Sequence, residues 1–301
     1  MTFSVIVPTY QRPALLTNCL DALAKQEYSM GQFEVIVVDD GSSSRPRRLI
    51  ESFSNKLDIR YLETDRLGPA RARNIALQAA KGTYVAFTDD DCAPSPNWLR
   101  ALETAFRALP DSALGGAIVD SDDSTLYGIA SQSLVSFLYE SAGTHPDFFC
   151  SNNLAFPRLS LLALGGFPED FPLAAAEDRD LCARWSRTGK LTFVPSAIVV
   201  HRQDISLGGF LRQHWRYGCG AFQFWRARRR DTGSVRKLRG ARFYRQMLLY
   251  PFSRHTTRPA FTISLLFVLS QAASAAGYLA EALRQCGERY ASTHPPPRRS
   301  A

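Results

Sequence analysis

Short apolar runs alternate with amphipathic stretches through the first ninety residues, and two of those runs end in aspartates. This alternation constrains the fold more than any other feature, because it builds a mostly parallel sheet covered by helices, an α/β architecture. Ser4 to Val7 reads as a strand. Arg12 to Gln26 places Leu15, Leu16, Cys19, Leu20 and Leu23 on one helical face, with Pro13 tolerated in the first turn. Phe33 to Val38 is β-branched and almost continuously apolar, the pattern of a strand buried on both faces, and it ends in Asp39-Asp40-Gly41-Ser42. A helix over Pro46 to Phe53, a strand over Ile59 to Leu62 and a helix over Pro69 to Ala80 follow. The strand Tyr84 to Phe87 then leads into Asp89-Asp90-Asp91. Open α/β sheets bind ligands beyond the carboxyl ends of their strands, so the two acidic strand ends locate a site.

The pattern continues with a helix from Ser95 to Pro110 and a strand over Ala113 to Val119. Residues 120–147 are Ser/Asp-rich, then apolar, and support no assignment. A strand over Phe148 to Phe156, a helix over Leu159 to Leu164, a turn at Gly165-Gly166-Phe167 and a helix over Glu177 to Ser186 come next, followed by strands at Leu191 to Val194 and Ile198 to His201. With 45% hydrophobic and 21% charged residues in 301, the chain falls outside the collagen-like, disordered and disulfide-scaffold classes. Its six cysteines are scattered singly, which reads as free thiols in a reducing compartment. The apolar start stops at Pro8 without a basic preface, the mark of a first strand rather than a signal peptide.

Charge divides the chain. Residues 1–201 hold 18 Lys or Arg against 24 Asp or Glu, whereas residues 202–258 hold 14 against 2. From Pro259 to Ala280 no residue is charged, and Ala260 to Ala280 is about the 20 residues needed to cross a hydrocarbon core. Its Ser, Thr and Gln content leaves three readings open: a buried helix, a helix lying in a membrane interface, and a span. The basic stretch before it favours contact with an anionic cytoplasmic leaflet. The tail from Thr293 is Pro-rich and reads as disordered.

Three adjacent carboxylates repel one another unless a proton or cation intervenes, and hard divalent ions such as Mg²⁺ or Mn²⁺ prefer oxygen ligands. Asp89-Asp90-Asp91, placed directly after a buried strand, reads as such a site rather than as a solvated turn. The Asp39-Asp40 strand end reads either as an acceptor for a base or ribose, or as an Asx turn. Glu177-Asp178 reads as a helix cap or as a general base. His201 is structural or a further metal ligand. Gln213-His214-Trp215-Arg216-Tyr217 offers a guanidinium for a diphosphate beside aromatic rings, or a basic helix for lipid headgroups.

Together, SVIVPTYQR, VIVVDDGS, GPARARNIAL, YVAFTDDDCAPSPNWL, the GGF turn and AAAEDRDLCARW resemble the inverting glycosyltransferases of family 2, over about residues 2–220. The resemblance implies a GT-A fold with a nucleotide-binding, mixed, mostly parallel sheet flanked by helices. A basic and apolar helical extension over 221–292 and a tail over 293–301 complete the expected organisation. It also implies that Pro8, Thr9, Tyr10, Asp40 and Arg73 line the nucleotide, with Asp89 and Asp90 beside the donor diphosphate. Asp91 matches the direct metal ligand of the D-x-D element, with Asp89 and His201 contributing, and Mn²⁺ or Mg²⁺ is the implied ion. Asp178 is the implied base and Glu177 its neighbour. Gln213, Arg216 and Tyr217 resemble the Q-x-x-R-W element of processive members, with Tyr in place of Trp, a departure that argues against a processive synthase. The implied partners are a UDP-, GDP- or dTDP-linked sugar and a glycan, lipid-linked or small-molecule acceptor, at the inner face of the cell membrane, with no nucleic acid.

Two other classes compete. A sugar-nucleotide pyrophosphorylase would carry a Gly-rich phosphate loop followed by Lys near the N-terminus, which Pro8-Thr9-Tyr10-Gln11-Arg12 does not supply. A non-catalytic membrane or nucleic-acid binder accounts for Arg226 to Arg230 but leaves the strand-end aspartates unexplained.

Overall fold

The computed structural model describes residues 1–143, 146–169, 171, 175–233 and 239–293, with side chains through residue 286. The chain divides into two compact units, Met1–Asp170 with Glu177–Ile205, and Phe171–Ala176 with Ser206–Ala301.

The first unit opens with β1 (Phe3–Thr9), α1 (Pro13–Ala24), β2 (Phe33–Asp39), α2 (Arg47–Glu51), β3 (Ile59–Glu63), α3 (Pro69–Ala79) and β4 (Tyr84–Phe87). It continues with β5 (Cys92–Pro94), α4 (Trp98–Ala108), β6 (Ala113–Asp120), α5 (Leu126–Ala142), β7 (Leu154–Pro157), α6 (Arg158–Ala163), α7 (Glu177–Trp185) and β8 (Leu191–His201). The sheet runs β3-β2-β1-β4-β7-β6-β8-β5. Strands β1 to β4 pair in parallel, β7 runs antiparallel to both β4 and β6, and β6 and β8 are parallel.

Both faces of the sheet are buried, which is why β1 and β2 read as nearly unbroken apolar runs. On one face Phe3, Val5 and Val7 pack with Leu16 and Leu20 of α1 and with Trp98 and Phe106 of α4. On the other, Ile6, Ile36 and Val38 meet Ala72 and Ala76 of α3, with Phe87, Phe156, Phe167 and Trp185 filling the deeper space. The order β3-β2-β1-β4 places the carboxyl ends of β1, β2 and β4 side by side, and the acidic residues follow β2 and β4 directly.

Three departures from the sequence reading have physical causes. Leu191 to Val194 and Ile198 to His201 form one strand, its partner register slipping between Gly116 and Ala117 to absorb the Pro195-Ser196 step. Buried Asn153 pins that slip, its Nδ2 donating to Ala117 O at 2.8 Å and Ala197 O at 2.9 Å, while its Oδ1 accepts from Trp98 Nε1 at 2.9 Å. The strand expected from Phe148 begins only at Leu154, after a 3₁₀ turn over Ser151–Asn153. Most of the unassigned 120–147 segment is α5, capped by Thr125 Oγ1 accepting from Gly128 N.

The second unit comprises α8 (Leu207–Thr232), α9 (Ala241–Leu249) and α10 (Thr257–Thr293), with a 3₁₀ turn at Tyr250–Ser253. One uninterrupted helix therefore spans the domain boundary expected near residue 220. α8 and α10 approach so closely that a Cβ on Gly218 would lie 2.0 Å from Ser274 O, and one on Gly277 2.0 Å from Trp215 O. The disorder expected beyond residue 293 falls outside the described residues.

Candidate active site

The end of β1 is latched to both acidic strand ends. Thr9 Oγ1 donates to Asp90 Oδ2 at 2.8 Å, and Ser42 Oγ accepts from Gln11 N at 2.8 Å. Gln11 holds a φ of 53°, the left-handed turn that redirects the chain from the strand into α1. Beside it, Tyr10 lies under the Arg66 guanidinium, 5.0 Å from the ring centre, while Pro8 stays within β1.

The β2 end is satisfied within the protein. Asp39 accepts from Ser42 N at 3.0 Å and from the Tyr61 hydroxyl at 2.8 Å. Asp40 accepts from Thr64 Oγ1 at 2.9 Å, Leu67 N at 2.6 Å and Gly68 N at 2.9 Å. These bonds fold the 64–68 loop over the strand end and deliver Gly68, at φ 89°, as the residue preceding α3.

The β4 end is crowded with like charge. Asp90 is buried, and burial together with the neighbouring Asp91 charge pushes its carboxyl up to about 6. Arg12 Nη1 reaches both Asp90 Oδ1 at 3.3 Å and Asp91 Oδ2 at 3.0 Å. The other oxygen of Asp91 lies 3.4 Å from His201 Nε2. Burial opposes ionisation of Asp91, yet the His201 hydrogen bond and charge, joined by Arg12, outweigh it and hold its pKa below the ordinary carboxylate value. Burial likewise lowers the His201 pKa, but Asp91 outweighs it and the net shift is upward. Asp91, Cys92 and His201 present ligand atoms all within 4.8 Å of one another. His201 Nδ1 in turn sits 2.9 Å from Gln203 Nε2 and 3.4 Å from Gln132 Oε1, amide groups that fix the ring plane.

Asp89 turns the other way. Its Oδ1 accepts from Arg73 Nη2 at 2.6 Å, and Arg73 Nη1 lies 3.7 Å from Glu177 Oε1 at the start of α7. Arg73 is only 4% exposed and stacks over Phe167, 5.4 Å from the ring centre. This buried guanidinium joins the triplet to the Glu177-Asp178 pair. Burial, then the Asp178 charge, pushes Glu177 up to about 7. Burial also raises Asp178, partly offset by Arg179, whose backbone N–H donates to Asp178 Oδ1 at 2.7 Å.

Three separate segments thus meet around one charge network, with Arg73 as the link between acids that sequence spacing leaves far apart. The sequence profile of the glycosyl transferase family 2 matches residues 4–160, which carry β1 to β7 and the triplet. This chain belongs to glycosyl transferase family 2.

Relatives in the family share different lengths of it. The chain is 45% identical over 93 residues to the poly(ribitol-phosphate) β-N-acetylglucosaminyltransferase TarS of Staphylococcus aureus, covering 30% of this chain and 16% of TarS. It is 28% identical over 237 residues to the chondroitin synthase of Escherichia coli, covering 66% of this chain and 34% of that protein. The glycosyltransferase AglE of Haloferax volcanii is 27% identical over 244 residues, covering 74% of this chain and 73% of AglE. The chain therefore spans well under half the length of TarS and of chondroitin synthase. Among solved structures, the mannosyltransferase PcManGT of Pyrobaculum calidifontis with GDP-Man and Mn²⁺ superposes with a TM-score of 0.60 at 24% identity, covering 97% of this chain and 81% of that one. A S. aureus TarS structure with UDP-GlcNAc gives 0.58 at 19% identity, covering 95% and 92%. These likenesses establish the GT-A fold of the family 2 chain.

Of the residues singled out in the sequence, Thr9, Arg73, Asp89, Asp90, Asp91, Glu177 and His201 join the network. Gln213 and Arg216 stand on α8 in the second unit, where Gln213 Nε2 donates to the Tyr217 hydroxyl at 3.0 Å. Arg12, Gln132 and Gln203 were missed. Arg12 carried a usable signal, a cation three residues past the end of the first strand, on the same sheet edge as the triplet. Gln132 carried none, lying in the segment that could not be assigned.

Proposed function

We propose that this chain moves a sugar from a nucleoside-diphosphate sugar to an acceptor hydroxyl with inversion at the anomeric carbon. The observation that carries this reading is the Arg73 bridge, 2.6 Å to Asp89 and 3.7 Å to Glu177, which ties the donor-side triplet to the helix bearing the base. Two structural neighbours hold nucleotide sugars, UDP-GlcNAc and GDP-Man, and the donor here is of that class. The acceptor is a glycan, lipid-linked or small-molecule hydroxyl, and the reaction takes place at the cytoplasmic face of the membrane.

In this reading Asp178 accepts the proton of the attacking hydroxyl, and burial, by raising its pKa, makes it a stronger base than a solvated carboxylate. Glu177 and Arg73 fix the start of α7, and so the direction from which the hydroxyl approaches. Pro8, Thr9 and Tyr10 line the nucleotide, while Asp40 shapes the loop that covers it.

The donor set fits a hard divalent ion. Asp91 and His201 supply an oxygen and an imidazole nitrogen 3.4 Å apart, whereas the soft Cys92 sulfur is a poor match for a hard ion. Asp91 and His201 would hold Mn²⁺ or Mg²⁺, while Asp89 is turned onto Arg73. When bound, the ion supplies positive charge to the departing diphosphate.

The test is Asp178→Asn. Transfer should fall by at least about 10²-fold while donor affinity, read by calorimetry, holds. Lost donor affinity with transfer preserved would refute the base assignment.

A further inference from the structure

We propose that the outer face of α10 lies flat on an anionic membrane surface, its apolar side chains reaching into the boundary between headgroups and acyl chains. The proposal is independent of the transfer chemistry and rests on the second unit alone.

α10 has two unlike faces. Ile263, Phe267 and Ser270 are buried, and Ser274 Oγ donates to His214 O at 3.0 Å. Cys219 Sγ donates to Gly277 O at 3.3 Å, and Gln223 bonds to buried Glu281. The opposite face is open to solvent and apolar: Phe261 is 68% exposed, Leu265 54%, Val268 48%, Leu279 62% and Leu283 73%. Those positions, with Leu269, Ala272 and Ala276 between them, recur at helical spacing and make a stripe about 33 Å long. An uncharged apolar face of this extent is a contact surface rather than an ordinary solvated one.

Charge identifies the partner. From residue 232 to residue 280 the chain carries seven Lys or Arg and no Asp or Glu. Arg258 is exposed one turn before Phe261 on the same side, and Arg242 and Arg245 are exposed on α9. Leu249, 58% exposed, and Phe252, 44% exposed, extend the apolar surface between α9 and α10. An apolar stripe flanked by arginines is the signature of a helix lying in the plane of an anionic leaflet.

Length and composition alone would also allow Thr257–Cys286 to cross a bilayer. The packing argues against it. α8 runs parallel to α10, with Trp215 backed onto Gly277 and Gly218 onto Ser274, so inserting α10 would drag exposed Arg216 and the polar Ser274 and Glu281 face into hydrocarbon. Lying in plane leaves Arg216 in water and keeps Ser274 and Glu281 packed against α8 at the protein's own surface.

The experiment is cosedimentation of the full chain with phosphatidylcholine–phosphatidylglycerol vesicles and with phosphatidylcholine vesicles. The proposal expects at least about tenfold stronger binding to the anionic vesicles, weakened by salt. Leu265→Gln combined with Leu279→Gln should abolish it with an unchanged thermal melt, since both side chains are exposed. Release by alkaline carbonate should be complete. Equal binding to both vesicles, indifference to the double substitution, or resistance to carbonate would each overturn the proposal. So would a dimer, seen by sedimentation, that the double substitution disperses while vesicles bind neither form. No sugar transfer is read in these assays, so their failure leaves the catalytic reading untouched.

Discussion

The carboxyl ends of β2 and β4 look alike in sequence, each an apolar strand running into aspartates, yet they are chemically opposite. Asp39 and Asp40 are met by hydroxyls and backbone N–H groups, and the neighbouring carboxylate Glu63, across the strand pair from Asp39, is held by Arg45 and Arg47. Asp89, Asp90 and Asp91 press negative charges together and are held by two arginines, a threonine and a histidine. The first arrangement spends its acceptors on folding a loop. The second retains a charge imbalance that a cation resolves. Two identical signatures therefore predict different costs when broken: stability at β2, catalysis at β4.

The largest effect should come from Asp91→Asn. Transfer falls about 10²–10³-fold, while the melting temperature drops only modestly, because relief of the contact with Asp90 offsets part of the lost Arg12 and His201 pairs. Rates and calorimetric melts on one preparation check both halves. A collapse in stability with residual transfer intact would erase the distinction between the two strand ends.

Asp40→Ala reverses the pattern. Two loop N–H groups and the Thr64 hydroxyl lose their acceptor, so denaturant unfolding should report a loss of about 3 kcal/mol.

The pH dependence should belong to the crowded network, which Arg73 extends to Glu177. Glu177 has its pKa raised from 4.5 to about 7, so its contribution to stability is complete below about pH 4.5 and is lost as pH rises through 7. Glu177→Gln should remove about 1–3 kcal/mol of that decline, visible as a flatter stability–pH curve over this window. A parallel curve would place the dependence elsewhere.

The smallest effect is Ser42→Ala, which removes the latch to Gln11 N and should cost about 1 kcal/mol with transfer little changed.

This contrast also explains what the sequence could disclose. β1, β2 and β4 were legible because burial on both faces demands continuous β-branched and aromatic residues. α5 was not, because Gly128, Ala130, Ser131, Gln132 and Ser133 are all buried, leaving no polar face to mark a helical period. β5 is three residues long and follows the triplet without a break, so its pairing with β8 gives no local signal. At the site, the acids announced themselves as motifs. Their chemistry depends on partners chosen by the fold: Arg12 from the turn after β1, Gln132 from α5, Gln203 beyond β8. Nothing in the spacing of Asp39-Asp40 and Asp89-Asp90-Asp91 distinguishes a saturated acid from a crowded one, since the difference resides in residues 16 to 110 positions away.

The central claim is that the β4 cluster, and not the β2 pair, gathers a cation and a diphosphate. Titrating Mn²⁺ by electron paramagnetic resonance, with and without nucleoside diphosphate, tests it most directly. The account predicts a site strengthened by the nucleotide, lost in Asp91→Asn and kept in Asp40→Asn. Mn²⁺ binding that survives Asp91→Asn, together with full transfer in EDTA, would contradict it.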